Sequence, residues 1–288
     1  MNISKERLPN GTLWLNRDDA AVSVVLDFVR SEAFRSVPED RRVSSNNKKN
    51  HIAILDVPGV GKCVLKEGFV SRQYPPAKRL EIAFKLRFLK RGLRTMRLAL
   101  VAARGGVRTF APLAFWTDFG GSLRNYFLYR HVEGVPLDAL WRTGAYAEAD
   151  QPALLAYLAK AGEQARKLHA LGIVHEDLLP RNIIVPSALD GEGDVSIIDM
   201  ESASRLFAPG RRLNFTLRLR SLHRLVDRAR YDDACLDAFF LGYCGGREED
   251  ATLCRRVLEF WRRHDTFSAF FLPIAWLRFP PVALNPDT

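Results

Sequence analysis

The residues with the clearest chemical potential lie between His175 and Asp199. The pattern H-x-D-L-x-P-x-N runs from His175 to Asn182 and contains Asp177. A carboxylate such as that of Asp177 can accept a proton from a hydroxyl group. The side-chain oxygens of Asn182 and Asp199 are ligands that suit Mg²⁺. The segment therefore combines an acid–base group with a candidate magnesium site.

Rigid elements must hold these polar groups in position. Leucines at helical spacing predict a helix over about 152–169, immediately before the motif. The apolar runs 183–185 and 195–198 predict two strands of a hairpin after it. Asp177 and Asn182 then lie in the loop between helix and hairpin, and Asp199 follows the second strand.

This order of elements and residues resembles the catalytic core of the protein-kinase-like fold. The resemblance implies an α+β, two-lobed fold, with a small β-rich N-lobe over 1–134 and a mainly helical C-lobe over 135–288. It also implies transfer of the γ-phosphate of ATP to a hydroxyl, with ATP and Mg²⁺ as cofactors. In this scheme Asp177 is catalytic and accepts the hydroxyl proton, while Asn182 and Asp199 bind the metal.

The N-terminal part offers candidate nucleotide-binding residues. Two strands joined by Pro58-Gly59 predict a hairpin, and Lys66 ends its second strand, where the family places the lysine that contacts the α- and β-phosphates. The glycine-free loop 44–50 occupies the place of the family's phosphate loop. It either covers phosphates or is a plain turn, and its candidate ligands are Ser45, Asn46 and Lys48. Glu133 in the hinge segment is a further candidate.

A strong helical periodicity follows in residues 78–108. Apolar residues step by three and four, which predicts one buried helical face: Ile82, Leu86, Leu89, Leu93, Met96, Leu100 and Ala103. Gly92 predicts a split into two helices, and Gly105-Gly106 predicts the end. The family's helix glutamate has no clear counterpart. Glu81 is the only acid in this stretch, and its pairing with Lys66 is left open.

Two departures from the protein-kinase pattern narrow the class of acceptor that this protein is expected to phosphorylate. Leu179 stands where protein kinases carry a lysine, and Arg181 is predicted to supply that cation and act as a catalytic residue. Met200-Glu201 follows Asp199 instead of Phe-Gly, and no Ala-Pro-Glu segment appears. Small-molecule and glycolipid kinases of this fold share these traits.

Within the superfamily, the chain resembles bacterial lipopolysaccharide-core kinases, which phosphorylate Kdo or heptose. The resemblance rests on the segments 93–97, 106–114 and 129–134, beside the catalytic loop, and covers roughly residues 50–206.

Charge is concentrated in two stretches. The chain has 43 Lys+Arg against 33 Asp+Glu, a net charge of +10. Ten of the basic residues fall within 78–108 beside the single Glu81, and eight fall within 205–230 beside the single Asp227. Such one-signed density predicts an anionic sugar or glycolipid acceptor and an anionic membrane surface. No nucleic-acid motif accompanies the charge, so no nucleic-acid partner is expected.

Several protein classes are disfavoured. The N-terminus lacks an apolar signal region, and no run of 18 apolar residues exists. None of the four cysteines forms a CxxC pair, which favours reduced thiols in the cytoplasm. The apolar segment 267–281 either packs on the C-lobe or anchors the protein at a membrane interface. We expect a cytoplasmic protein, peripheral on the inner membrane; the sequence does not indicate its oligomeric state.

Three functions are compatible with these features. The favoured one is a kinase that phosphorylates a sugar hydroxyl of lipopolysaccharide core or a related glycolipid. The first alternative is a soluble small-molecule kinase of the aminoglycoside or choline type. The second is a catalytically weak pseudokinase that serves as a membrane scaffold, because the glycine loop and the helix glutamate are missing.

Overall fold

The computed structural model describes residues 2–36, 42–43, 50–70, 73–84, 86–87, 90–120, 123–142, 151–205, 222 and 232–263. The chain packs as two units. The first comprises Met1–Val101 and Phe110–His131, and the second comprises Ala102–Thr109 and Val132–Thr288. The first is built on a β-sheet and the second is mainly helical, so the fold class is α+β, as predicted. The predicted domain boundary near residue 134 stays a prediction.

A seven-stranded antiparallel sheet forms the body of the first unit. Its strands in chain order are β1 (Ile3–Leu8), β2 (Gly11–Asn16), β3 (Arg42–Val43), β4 (Asn50–Val57), β5 (Gly61–Phe69), β6 (Pro112–Asp118) and β7 (Arg124–Arg130). Their order across the sheet is β1-β2-β6-β7-β5-β4-β3. The predicted hairpin around Pro58-Gly59 is confirmed, since Val57 pairs with Gly61. The charged edge strand β1 had no clear strand signal in the sequence.

Helix α1 (Val22–Arg30) covers one face of this sheet. Its residues Val25 and Val29 belong to the same buried core as Leu13, Leu15 and Trp116 of the strands. The helix follows from the helical spacing of its valines.

The second long periodicity forms two helices, α2 (Pro76–Phe84) and α3 (Arg91–Arg104). The predicted split is confirmed, but Gly92 lies in the first turn of α3, where an added Cβ would lie 2.4 Å from the ring of Phe115. Leu93, Met96 and Leu100 are buried as predicted. Ala103 is exposed and Ala102 is buried instead, because a repeat of 3.5 residues drifts around a helix of 3.6 residues per turn.

The helices of the second unit are α4 (Leu137–Arg142), α5 (Gln151–Ala170), α6 (Asp233–Tyr243) and α7 (Glu248–Arg263). Helices α5 and α6 cross at two glycines. A Cβ added to Gly162 would lie 2.1 Å from the carbonyl oxygen of Phe239, and one added to Gly242 would lie 2.0 Å from that of Ala159. The two backbones therefore approach more closely than side chains would allow.

Short strands complete the second unit: β8 (Val135–Pro136), β9 (Ile173–His175), β10 (Ile183–Val185), β11 (Ser196–Ile197) and β12 (Ala203–Arg205). The predicted hairpin is confirmed as β10 and β11. The composition of residues 133–137 is typical of a linker, but Val135 and Pro136 pair with β10. Gly134 permits this approach, since its φ is +134° and an added Cβ would lie 2.3 Å from the carbonyl oxygen of Val185.

Within the described part of the chain, no helix has the length and apolar character to cross a membrane. The four cysteines are free thiols and buried. The segment 267–281 lies outside the described residues, so both predictions for it remain open.

Candidate active site

Asp177 lies in a loop that buried neighbours hold in place. Strand β9 ends at His175, and Leu178 and Leu179 are fully buried after Asp177. Pro180 then begins a short 3-10 turn, Pro180–Asn182, where its fixed φ suits the first helical position. Apolar side chains on both sides therefore present Asp177, which is itself only partly buried.

Two donors contact the Asp177 carboxylate. Arg181 Nη2 donates to Asp177 Oδ2 at 2.9 Å. Asn182 Nδ2 donates to the Asp177 carbonyl at 2.8 Å and to Oδ2 at 3.3 Å. Because the amide nitrogen of Asn182 faces Asp177, its amide oxygen faces away from that residue. The three residues form one polar cluster, and Asn182 is its buried member.

Asp199 follows β11 and lies next to this cluster. The Ile198 amide donates to the Asn182 carbonyl at 2.9 Å, and Ile183 pairs with Ile197. These bonds hold the backbone just before Asp199 against Asn182. Asp199 itself has a φ of 58°, in the left-handed region. Aspartate tolerates this region better than most residues do. Strained backbone of this kind is frequent at functional sites.

His175 connects the strand before Asp177 to the backbone on both sides of Asp199. Its Nε2 donates to the Ile198 carbonyl at 3.0 Å, and its backbone pairs with Ala203 of β12. The imidazole is fully buried, and burial lowers its pKa from 6.5, so it is neutral near neutral pH. It was not assigned a role from the sequence, although its place in the H-x-D pattern was the signal.

The segment 102–109 also reaches this site. The Ile197 amide donates to the Arg108 carbonyl at 2.9 Å, and Thr109 Oγ1 donates to the Ile197 carbonyl at 2.7 Å. The Arg108 amide in turn donates to Gln164 Oε1 at 2.7 Å. These long-range bonds fix β11 two residues before Asp199, and no sequence pattern indicates them.

In the first unit, Lys66 lies in β5 between Ile52 of β4 and Phe127 of β7. It was predicted to end this strand, but β5 continues to Phe69. Glu81 Oε2 accepts from Lys78 Nζ at 2.6 Å, within α2. The pairing of Glu81 with Lys66 stays a prediction.

For the other predicted nucleotide-binding residues, the structure gives little information about contacts. Glu133 is exposed, next to Gly134. Ser45, Asn46 and Lys48 lie outside the described residues, in the connection between the paired strands β3 and β4.

The oxygen donors present fit magnesium. No group of three or more His, Cys, Asp or Glu side chains gathers among the described residues, so they build no all-protein metal cage. Mg²⁺ is usually held by one or two carboxylates together with substrate phosphates and water. The amide oxygen of Asn182 and the carboxylate of Asp199 are donors of that kind.

Comparisons with known proteins indicate a family and a similar fold. Residues 104–243 match the model of the lipopolysaccharide kinase (Kdo/WaaP) family. A solved structure, "WaaP in complex with acyl carrier protein", is similar with a TM-score of 0.50 and 16% sequence identity over 85% of this chain and 92% of that chain. No curated protein matches the chain.

The family match includes residues 104–109 of the first segment of the second unit and the polar cluster around Asp177. It confirms the resemblance seen in the sequence, and the family implies a phosphotransferase. Over residues 104–243, this chain is similar to the lipopolysaccharide kinase (Kdo/WaaP) family.

Proposed function

We propose that this protein transfers the γ-phosphate of ATP to a sugar hydroxyl of lipopolysaccharide core or a related glycolipid. The observation that carries this proposal is the cluster of Asp177, Arg181 and Asn182 beside Asp199. It combines a proton acceptor, a cation and oxygen ligands, which are the groups that phosphoryl transfer requires.

In the proposed reaction, Asp177 orients the acceptor hydroxyl and takes its proton. A bond forms between the acceptor oxygen and the γ-phosphorus, the bond from that phosphorus to the β–γ bridging oxygen breaks, and ADP leaves. Arg181 and Asn182 hold one carboxylate oxygen of Asp177, which directs the other toward the acceptor. Arg181 also adds positive charge, which an anionic sugar acceptor requires.

The residues that would bind the cofactors are assigned from the chemistry of their side chains. The Asn182 amide oxygen and the Asp199 carboxylate would hold Mg²⁺, whose positive charge offsets that of the phosphates. Lys66 would contact the α- and β-phosphates of ATP. Ser45, Asn46, Lys48 and Glu133 remain candidate nucleotide contacts.

The proposed location is the cytoplasmic face of the inner membrane, with an anionic glycolipid as acceptor and anionic lipid as the surface. The basic stretch 78–108 supports this location. The similar solved structure contains acyl carrier protein. A carrier protein of that kind is therefore the competing partner for the same basic surface.

Transfer of radiolabelled phosphate from ATP to lipopolysaccharide precursors tests the proposal. We expect Asp177→Asn and Asp199→Asn each to lower kcat by about a hundredfold or more, because each removes a charge used in the transition state. Asp237→Asn is the matched control, since it removes an exposed carboxylate on α6 and should leave the rate unchanged.

Unchanged transfer in either site variant would contradict the assigned roles. Activity on a lipid-free amino sugar or choline, and none on the precursors, would instead indicate the small-molecule kinase. Wild-type protein that shows neither transfer nor a thermal shift with ATP and Mg²⁺ would indicate the scaffold.

A further inference from the structure

Helix α2 presents apolar side chains to solvent. Leu80 and Phe84 are one turn apart, and they are 74% and 56% exposed. Ala77 lies on the same face and is also exposed. The opposite face carries Ile82, which is buried. A surface helix normally shows polar residues to water, so α2 has the reverse of the usual pattern on its outer side.

A second exposed aromatic ring contacts a residue that follows this helix. Phe119 is 42% exposed, and the guanidinium of Arg87 sits over its ring at 5.0 Å. Arg87 comes only three residues after Phe84. Of the five large apolar side chains exposed in the described chain, three therefore belong to this region. Clustered exposure of this kind marks an interaction surface more often than scattered single residues do.

Basic residues follow the apolar face along the chain. Six exposed cations lie between α2 and the middle of α3: Arg79, Arg87, Lys90, Arg91, Arg94 and Arg97. Glu81 is the single acid in this stretch, and its carboxylate already accepts from Lys78 at 2.6 Å. The stretch thus combines exposed apolar side chains on α2 with exposed cations that lie near them in the sequence.

We propose that Leu80, Phe84 and Phe119, with the six cations, form the surface by which this protein docks on an anionic lipid bilayer. The inference deepens the proposed function, because it rests on an acceptor held in a membrane, and it names the residues that reach that membrane. Bulky apolar side chains enter the acyl boundary while neighbouring arginines bind headgroup phosphates. An acidic protein would also complement the cations, so binding of an acidic protein is compared with vesicle binding in the test.

Vesicle sedimentation tests the surface directly. The wild-type protein should bind vesicles of phosphatidylcholine mixed with phosphatidylglycerol, and it should bind phosphatidylcholine alone much more weakly. The double variant Leu80→Ser/Phe84→Ser should lose at least about tenfold in affinity, because two apolar side chains no longer enter the bilayer. Arg79→Gln/Arg91→Gln should lose a similar factor, and high salt should weaken the wild-type protein.

Leu241→Ser is the matched control, since Leu241 is an exposed leucine on α6, outside the surface, with 38% exposure. It should bind vesicles like the wild-type protein. A second measurement does not depend on loss of binding: a polarity-sensitive dye on Leu80→Cys should shift to the blue with anionic vesicles. The same dye on Leu241→Cys should not shift.

Three outcomes would overturn the proposal: no binding of wild-type protein to anionic vesicles, equal binding of Leu80→Ser/Phe84→Ser, or a dye response that is the same at both positions. Binding of an acidic protein to this surface, with no vesicle binding, would overturn it as well. Transfer to a lipid-free acceptor sugar separates the two proposals. If vesicle binding depends on this surface but no phosphate is transferred to any acceptor, the proposed function is refuted and the docking proposal stands.

Discussion

Arg181 and Asn182 bind the same oxygen of Asp177, and this has a chemical consequence at the scale of single residues. A carboxylate held through Oδ2 by two donors cannot rotate freely, and in the proposed reaction this would fix the orientation of the Asp177 side chain toward the acceptor hydroxyl. Orientation of this kind lowers the entropy cost of the reacting geometry. Under the proposed function, the charge of Arg181 and the buried amide of Asn182 would together hold Asp177 as a fixed proton acceptor.

His175 gives a testable pH dependence of stability. Burial lowers its pKa in the folded protein from 6.5, so the unfolded chain binds a proton more readily below that pH. The stability that neutral His175 provides is present above about pH 6.5 and is lost as the pH falls through and below that value. We expect the free energy of unfolding to decrease between about pH 7 and about pH 5 by on the order of 1 kcal/mol per pH unit, and Tm to decrease with it.

The variant His175→Gln isolates this contribution. Glutamine does not titrate, but its amide can still donate toward the Ile198 carbonyl. Thermal melts across the same pH range should show a shallower slope for the variant than for the wild-type protein. Identical slopes would mean that other groups cause the acid destabilisation.

At the scale of elements, the crossing of α5 and α6 depends on the lack of side chains at Gly162 and Gly242. Gly162→Ala would place a methyl group against the Phe239 carbonyl, and backbone cannot move aside as a side chain can. Alanine by itself favours helix by up to about 1 kcal/mol, so a loss of stability would identify the crossing as its cause. We expect a loss of about 2–3 kcal/mol, which corresponds to a decrease of several degrees in Tm.

Leu241→Ala serves as the control for this substitution in the same helix pair. It shortens an exposed side chain beside Gly242, and its effect should stay within about 0.5 kcal/mol. Unchanged or increased Tm in Gly162→Ala would show that the two helices can separate at little cost.

The sequence predicted elements better than it predicted contacts. Periodicity located α3 and α5, and apolar runs located the hairpin of β10 and β11, because these patterns are local. The hydrogen bond from Thr109 to Ile197 joins residues far apart in the chain, so no local pattern could indicate it. Strand β1 was missed for another reason, since an edge strand can be mostly polar and carries little hydrophobic signal.

The candidate site follows the same division. The types and order of Asp177, Asn182 and Asp199 predicted that these residues belong to the candidate site. Their spacing could not reveal that Asn182 uses its nitrogen on Asp177, or that Asp199 adopts a left-handed backbone. Those features arise from packing around the loop and not from the residues themselves.

At the scale of the whole molecule, the four thiols provide a probe of native packing. All are buried, and burial raises the pKa of Cys63 to about 11 and that of Cys235 to about 12. Since only the thiolate reacts quickly, we expect slow reaction with a thiol reagent in the native protein. Unfolding in denaturant should release all four thiols for rapid reaction.

Absorbance time courses with a chromogenic disulfide reagent, recorded with and without denaturant, measure this difference in thiol reaction rate. The variant Leu80→Cys provides the internal standard, because a cysteine on the exposed face of α2 should react quickly in the native protein. Rapid reaction of any native cysteine would show that its surroundings open to solvent.

The two packing units alternate along the chain, and this limits how the protein can be divided. Ala102–Thr109 belongs to the second unit, but Phe110–His131 returns to the first and supplies β6 and β7 at the centre of its sheet. A single cut after His131 therefore leaves the first unit whole but separates Ala102–Thr109 from the rest of the second. A split after Thr109 would leave one fragment with β1 to β5 but without the strands that join β2 to β5. Complementation between such fragments would require them to rebuild the sheet, so split versions of this protein should associate only by refolding together.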